Sequence, residues 1–352
     1  ILQGYDTVKK VKLPDTVTTI GEKTFKGLKN LVSVNIPKSI KTIGASAFEG
    51  CSGISSIELY NVTQIGSQAF KDCNSITNVT IPKTAVKIGV SAFESCNNLR
   101  SVNLNSDYEY NNIFSSAYTF LNCQKLEKLV VGEGVTFINS NAFKNCTDLK
   151  EIELPSTLKE IYSNAFYNCS AIESLTFPEG FTTVYSKAFY NCRSLSEVNL
   201  PESLKKVYDS AFYNCTSLQT VTIPRNTTTL AEKCFGYYTS DLRVWDFTIR
   251  GYITSNAWSY ARNNGFAFEN LGGEPVITVV ELEKYFVALG EGESFTIKYN
   301  VEFPEGETTF TSSDPEVATV DENGTITAHS KGYSTINVTN NSVTRQFIVI
   351  VR

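Results

Sequence analysis

Residues 149–169 read LKEIELPSTLKEIYSNAFYNC, and this stretch decides the fold because the chain repeats it. Its first part, Leu-x-x-Ile-x-Leu-Pro, returns with conservative changes at residues 195–201 and 218–224. Its second part ends in Ala-Phe, and successive repeat phenylalanines lie 23, 22, 23, 27, 23, 23, 23, 23 and 23 residues apart. The column consists of Phe25, Phe48, Phe70, Phe93, Phe120, Phe143, Phe166, Phe189, Phe212 and Phe235. Such a period predicts a solenoid.

Each repeat begins with a short alternating segment, which is typical of a strand with one buried face. The proline that follows cannot donate to a sheet, so it ends the strand. One coil cannot bury its own apolar residues, whereas stacked coils share a continuous core. With about 4.8 Å per strand, about ten coils predict a mainly β, parallel-sheet rod or arc roughly 50 Å long.

The repeat unit resembles the leucine-rich repeat of BspA-like bacterial surface proteins. The matching residues are Leu-x-x-Ile-x-Leu-Pro, then Ile-x-x-x-Ala-Phe-x-x-Cys, and they extend from about Val8 to Leu271. The resemblance implies a right-handed leucine-rich-repeat solenoid of about ten 23-residue coils. It also implies secretion or surface display, binding to host proteins or other cells, and no catalysis.

Residues 244–271 break the repeat and are similar to the C-terminal cap of these solenoids. We therefore expect the solenoid domain to span residues 1–271 and to end in a cap at residues 244–271. Phe247–Gly251 predicts a strand, and Ser255–Asn264 predicts a short helix with Ser255 as N-cap and Gly265 at its end. Phe266–Phe268 predicts a last strand. A distinct closing unit is expected because a solenoid end would otherwise expose its core.

Residues 276–352 are predicted to form a separate small β-sandwich after a linker at 272–275. Ser-Asp-Pro-Glu-Val-Ala-Thr-Val-Asp at 313–321 and Asn323-Gly324 between alternating segments indicate strands and a hairpin. These motifs resemble a group 2 bacterial immunoglobulin-like domain, which implies a spacer or accessory adhesion module. This segment carries a net charge of −6, against −5 for the whole chain.

Eight of the nine cysteines lie three residues after a repeat phenylalanine. A metal site needs converging ligands, and one cysteine per coil does not converge. Disulfides between neighbouring coils would suit a secreted protein, but in-register side chains fit the bridge dihedral poorly. Because Leu28 occupies the same column, we favour buried free thiols that pack as small hydrophobes.

No constellation in the sequence indicates catalysis, a cofactor or a metal. His329 is the only histidine and lies in the predicted immunoglobulin-like domain, remote from any nucleophile of the solenoid. Glu151 and Glu153 share one strand face without an evident acid-base partner. Residues 321–324 fit a turn better than a calcium loop. The small net charge gives no argument for nucleic acid, and no apolar run is long enough to span a membrane.

Three surfaces are candidates for ligand binding. Aromatic columns can contact a sugar or a protein, or can simply stabilise neighbouring coils; the column candidates are Tyr162, Tyr185, Tyr208, Tyr167, Tyr190 and Tyr213. The 27-residue interval predicts a loop containing Tyr108 and Tyr110. The outward positions of the sheet are Ser33, Asn35, Asn78, Thr80, Ser101, Asn103, Glu151, Glu153, Glu197, Asn199, Thr220 and Thr222.

The sequence therefore predicts a non-enzymatic, monomeric, secreted or cell-surface adhesion protein. Its partner would be a host extracellular protein or glycan bound by the solenoid, while the immunoglobulin-like domain would hold the solenoid away from the cell. The alternative hypothesis is a structural spacer or surface component that contacts copies of itself.

Overall fold

The parallel sheet predicted from the Leu-x-x-Ile-x-Leu segments forms one face of the solenoid, here called the front sheet. In this computed structural model, which describes residues 7–104, 117–239, 242–272, 279–302, 307–340 and 343–352, Val102 pairs in register with Val79 and Leu129. Apolar residues point inward and polar ones outward, as the alternation predicts. The front-sheet strands are β1 (Lys10–Lys12), β3 (Ser33–Asn35), β6 (Asn78–Ile81), β8 (Ser101–Leu104), β9 (Lys128–Val131), β11 (Glu151–Glu153), β13 (Ser174–Thr176), β15 (Glu197–Asn199), β17 (Thr220–Thr222), β21 (Thr248–Gly251) and β22 (Ala267–Asn270).

A second parallel sheet of two-residue strands runs along another side of the coils. Each strand ends in an apolar residue that lies upstream of the Ala-Phe segment in the same coil. Ile138 pairs with Ile161 in this way. These strands are β2 (Thr19–Ile20), β4 (Thr42–Ile43), β5 (Gln64–Ile65), β7 (Lys87–Ile88), β10 (Phe137–Ile138), β12 (Glu160–Ile161), β14 (Thr183–Val184), β16 (Lys206–Val207) and β18 (Thr229–Leu230). The mainly β, parallel solenoid predicted from the repeat is thereby confirmed.

The Ala-Phe segments build the centre of the core. Neighbouring phenylalanine rings stack with centroids 4.7–5.4 Å apart along the whole column. Residues two positions before and after the phenylalanine adopt left-handed backbone angles, as at Asn164 and Asn168. Alternate backbone N–H groups in this segment donate to the next coil, for example from Phe166 to Ala188 at 2.8 Å. Stacking and backbone hydrogen bonds therefore join the same neighbouring coils.

An asparagine ladder runs beside the later phenylalanines. The side chain of Asn168 donates to Asn145 at 3.2 Å and accepts from Asn191 at 2.5 Å, and the ladder continues to Asn122 and Asn214. Asparagine suits this position for two reasons. It tolerates the left-handed conformation better than most residues, and its amide both donates and accepts.

Replacing the central member of the ladder tests both reasons. Asn168→Ala is expected to lower the free energy of unfolding by about 2–3 kcal/mol, for two reasons. The variant loses two hydrogen bonds, and alanine tolerates the left-handed angle of φ 61° less well than asparagine does. The matched variant Asn168→Gly loses the same bonds but accepts the angle, so it is expected to cost less. Urea denaturation measures both, and equal costs would show that backbone angle plays no part.

The segment predicted to cap the solenoid contains one helix between two strands. Helix α1 (Asn256–Asn264) follows Ser255 and ends at Gly265, whose left-handed conformation (φ 63°) lets its N–H bond the carbonyls of the last turn. The hydroxyl of Ser255 donates to the carbonyl of Tyr252 instead of capping the helix. A short antiparallel hairpin, β19 (Tyr237–Tyr238) and β20 (Leu242–Arg243), precedes the cap.

The chain separates into two units, Ile1–Leu271 and Gly272–Arg352. The second unit has its own core, which includes Val280, Ile326 and the fully buried Phe347. The hairpin predicted at Asn323-Gly324 joins two antiparallel strands, with Gly324 at φ 79°. Its strands are β23 (Val279–Leu282), β24 (Phe286–Leu289), β25 (Ser294–Thr296), β26 (Tyr299–Glu302), β27 (Thr309–Ser312), β28 (Ala318–Val320), β29 (Thr325–Ala328), β30 (Gly332–Asn340) and β31 (Val343–Val351).

Candidate binding surfaces

The two predicted tyrosine columns exist, and their members touch one another. Tyr185 stacks on Tyr208 with ring centroids 5.2 Å apart and meets Tyr162 edge-on at 4.9 Å. In the other column Tyr190 stacks on Tyr167 at 4.9 Å and on Tyr213 at 5.0 Å. Most of these rings are half-buried, and Tyr213 is buried. Much of each ring's surface is therefore already used by its neighbours.

The position that holds Tyr167 and Tyr190 makes contacts between coils elsewhere in the solenoid as well. In earlier coils it carries ion pairs, Lys26–Glu49 at 2.8 Å and Lys71–Glu94 at 2.9 Å. Between the two regions Lys144 places its ammonium 4.8 Å from the centroid of the Tyr167 ring. Because contacts between coils recur at this position, we interpret the Tyr167 and Tyr190 column as a ladder that stabilises the stack. Its exposed edge can also contact a ligand.

The position that holds Tyr162 and Tyr185 changes more sharply along the chain. In the early coils it is glycine, and a Cβ on Gly44 would lie 2.6 Å from the backbone nitrogen of Glu22. The early coils are thus too close there for any side chain, whereas the later coils accommodate tyrosine. Partial burial raises the pKa of Tyr162, and the neighbouring Glu160 carboxylate raises it further.

A shallow cleft of about 280 Å³ lies at the end of the Tyr190 column. Its lining mixes aromatic rings with both charges, namely Lys187, Tyr190, Asp209, Ser210, Tyr213, Glu232 and Lys233. Such a surface can accept a polar ligand. Tyr108 and Tyr110, the remaining candidates, lie outside the described residues.

The front sheet presents the small polar surface that the sequence predicts. Asn78 and Thr80 are exposed, while Ser101 and Asn103 are half-buried. Glu151 and Glu153 do not face each other across a cleft, since both bind Lys128, at 3.2 Å and 2.8 Å. One ammonium thus bridges the two carboxylates on the same face, and this arrangement offers no acid and base on opposite sides of a substrate.

Sequence analysis missed Trp245, which lies in the cap segment between β20 and β21. Its side chain is 91% exposed, although Val244 before it and Phe247 after it are buried. Beside it lies a concavity of about 450 Å³, to which Leu242, itself 55% exposed, also contributes. The sequence signal that could have identified this residue is its position, because it is one of the two tryptophans and lies where the repeat pattern has ended.

The cysteines serve packing, as interpreted from the sequence. All nine are free and buried. Each thiol of the main column lies 2.9–3.4 Å from the carbonyl oxygen of the preceding coil's phenylalanine, as Cys169 does at 3.1 Å from Phe143. The thiol therefore fills a small apolar space and also satisfies a backbone acceptor.

The other titratable candidates have local structural partners. His329 Nε2 lies 2.7 Å from the Thr319 hydroxyl in the second unit. The Asp321 carboxylate accepts from the backbone N–H groups of Asn323 at 3.0 Å and Thr325 at 2.7 Å, which makes this segment a turn. Within the described residues, no three His, Cys, Asp or Glu side chains converge to hold a metal ion.

These features define a class: a leucine-rich-repeat solenoid joined to an immunoglobulin-like unit. The family model for the BspA type leucine rich repeat region matches residues 3–118 and 113–241, and the chain belongs to that family. The model for the group 2 bacterial Ig-like domain matches residues 277–351. The described part of the chain contains no helix with the length and apolarity needed to cross a bilayer.

Several solved structures are similar to this chain. A leucine-rich repeat protein from Bacteroides ovatus is 23% identical over 77% of this chain and 85% of its own, with a TM-score of 0.42. The T. pallidum leucine-rich repeat protein is 26% identical over 53% and 77%, with a TM-score of 0.40. A leucine-rich cell surface protein from Faecalibacterium prausnitzii is 18% identical over 76% and 88%, with a TM-score of 0.32. The comparison with curated proteins gives no match.

Proposed function

We propose that this chain is a non-catalytic binding protein, secreted or displayed on the cell surface, that recognises a host extracellular protein or glycan through its solenoid. The observation that carries the proposal is Trp245, which is 91% exposed beside a concavity of about 450 Å³. The immunoglobulin-like unit acts as a spacer or accessory module. Membership of the leucine-rich-repeat family supports a surface that binds protein.

An exposed tryptophan beside a concavity is suited to anchoring a partner. Tryptophan is among the residues that contribute most to binding energy at interfaces, especially where a rim of neighbouring contacts excludes water. Here Leu242 adds a second exposed apolar side chain, and Asp246 supplies a carboxylate at the same concavity. Contiguous exposed apolar side chains mark interaction sites, whereas a single scattered hydrophobic residue does not. The grouping of Trp245 and Leu242 is of the first kind.

The proposal is tested by measuring binding of the full chain to immobilised extracellular-matrix proteins and to a glycan array. For the ligand that binds, Trp245→Ala is expected to raise the Kd by at least about 30-fold, the effect of losing an interface hot spot of about 2 kcal/mol. The control is Tyr118→Asn, which removes another exposed aromatic ring and keeps a residue that tolerates its left-handed angle (φ 63°).

The tyrosine columns are tested in the same assay. If they also contact the ligand, Tyr185→Ala combined with Tyr190→Ala weakens binding more than Tyr118→Asn does. An effect confined to thermal stability would assign the columns to the stack alone. Absence of saturable binding at micromolar concentration to every matrix protein and glycan, with the chain folded by circular dichroism, would contradict the proposed function.

A structural, self-associating component is the second candidate function, and one surface of the immunoglobulin-like unit favours it. On the outward face of one sheet, Phe286 pairs with Ile348 and Tyr333 pairs with Ile350. These four side chains are 65%, 46%, 75% and 39% exposed, respectively. Light scattering over a range of concentrations distinguishes the two functions: assembly that Tyr333→Lys abolishes supports the second, and a constant monomer mass removes it.

A further inference from the structure

One coil of the solenoid is a residue shorter than its neighbours, and the missing residue lies in the turn after its front-sheet segment. Between Leu59 and Val62 there are two residues, where the preceding coil has Pro37, Lys38 and Ser39. In that preceding coil the turn is closed by the N–H of Ile40 bonding the carbonyl of Pro37 at 3.0 Å.

The shortened turn has a different hydrogen bond. The N–H of Val62 donates to the carbonyl of Leu59 at 2.8 Å, so the turn begins at the last residue of the strand segment instead of at a proline. Tyr60 occupies the position of that proline, and the Asn61 side chain donates to the carbonyl of Lys38 at 3.1 Å. The shortened turn is thus tied to the preceding coil.

As a result, the front sheet is interrupted at this coil. Residues 54–59 form no strand, although β3 on one side and β6 on the other do. At this interruption an open cleft of about 490 Å³ lies on the outward face. Its lining includes Ser56, Glu58, Tyr60, Asn78, Thr80 and Lys83.

We propose that this cleft binds a hexose unit of an extracellular glycan, an inference that rests on the proposed function and specifies its ligand class. Tyr60 is 50% exposed, and the ammonium of Lys38 lies 5.7 Å from its ring centroid. An exposed aromatic ring can stack on the apolar face of a sugar. Glu58 and Asn78 are exposed at the same cleft and supply a carboxylate and an amide for the sugar hydroxyls.

The geometry favours a sugar over an extended peptide. A peptide that adds a strand requires a free sheet edge. β3 and β6 are the last strands of their sheets here, but the coil that contains residues 54–59 stacks between the coils that carry them. The volume falls within the range of small-ligand sites, about 300–1,000 Å³. The lining combines one aromatic ring and the apolar Ile57, Leu59 and Pro82 with several hydrogen-bonding groups. This mixture suits a sugar, which has an apolar face and many hydroxyls, better than a purely apolar ligand.

The test uses the full chain on an array of glucose, galactose, mannose and N-acetylglucosamine oligosaccharides, followed by titration calorimetry with the oligosaccharide that binds. Tyr60→Ala is expected to raise its Kd at least about tenfold, while Tyr60→Phe keeps the ring and changes the Kd by less than about threefold. Glu58→Gln is expected to weaken binding by an intermediate factor. Tyr118→Asn, which removes an exposed ring from another coil, leaves the Kd unchanged.

A turn graft tests the cause of the cleft. Replacing Tyr60-Asn61 by Pro-Lys-Ser, the residues at 37–39, restores the usual coil length and is expected to close the cleft and abolish sugar binding. Should the chain bind a matrix protein through Trp245 but no sugar, or bind sugar with an affinity that Tyr60→Ala leaves unchanged, the cleft proposal is overturned and the proposed function stands. Absence of all binding by the native chain overturns both.

Discussion

Raising the pH from 8 to 10 is expected to remove on the order of 10 kcal/mol from the free energy of unfolding. The cause is the thiol column of the solenoid core. Burial raises the pKa of six cysteines of this column and of Cys234 beside Phe235, to about 11 for Cys51 and to about 12 for Cys215 and Cys234. The other four are Cys73, Cys146, Cys169 and Cys192. The pKa of Cys96 is raised too, by its hydrogen bond with Cys123 and by burial, which makes eight thiols in all.

The sign follows from proton binding. Between the ordinary thiol pKa of 9.0 and the raised value in the folded state, the native chain holds protons that the unfolded chain releases. Unfolding therefore becomes more favourable as pH rises through that window, and the stability present below pH 9 is lost above it. One pH unit above the unfolded pKa, each such thiol has lowered the free energy of unfolding by about 1.4 kcal/mol, and the eight thiols together account for most of a typical protein's stability.

Urea denaturation at pH 7.5, 8.5, 9.5 and 10 measures this effect. The matched variant carries Cys146→Ala, Cys169→Ala and Cys192→Ala together. It starts from a lower stability because of the removed volume, but its dependence on pH is shallower by about three eighths. The comparison of slopes separates the thiols from tyrosines that titrate at higher pH. An unchanged slope in this variant would show that other groups cause the alkaline loss.

The fold could be predicted because the residues that each coil needs for its core recur many times along the sequence. A buried phenylalanine and a small residue before it recur in almost every coil, so an error at one coil could not hide the period. The cap helix was predictable for a different reason, since Ser255 and Gly265 are local signals that do not depend on neighbouring coils.

The surfaces were less predictable because they depend on differences between coils. The asparagine ladder requires left-handed backbone at Asn145 and Asn168, and nothing in the repeat spacing specifies that angle. The exposure of Trp245 depends on how the chain leaves the last coil. The cleft at Tyr60 coincides with a single missing residue, visible in the sequence only as the one interval of 22 among the spacings of the repeat phenylalanines.

Removing one ring from the middle of the phenylalanine column is expected to have the second largest effect. Phe166→Ala should lower the free energy of unfolding by about 4–6 kcal/mol, since large-to-small substitution at a fully buried phenylalanine costs about 3–5 kcal/mol and two stacked pairs are lost. Phe166 is fully buried and stacks on Phe143 at 5.3 Å and on Phe189 at 5.2 Å. Guanidinium denaturation followed by circular dichroism measures the loss.

Phe25→Ala is the matched control, because Phe25 begins the column and, among the residues that the structure describes, stacks on Phe48 alone, at 5.1 Å and with the rings inclined by 22°. It should cost clearly less than Phe166→Ala. In a solenoid each coil is stabilised mainly by its nearest neighbours, so a central defect also weakens the coupling between the coils on its two sides. Phe166→Ala should therefore broaden the transition or split it in two, whereas Phe25→Ala should only shift it. Equal losses with equally sharp transitions would mean that the whole column unfolds as one unit whose stability does not depend on where the ring is removed.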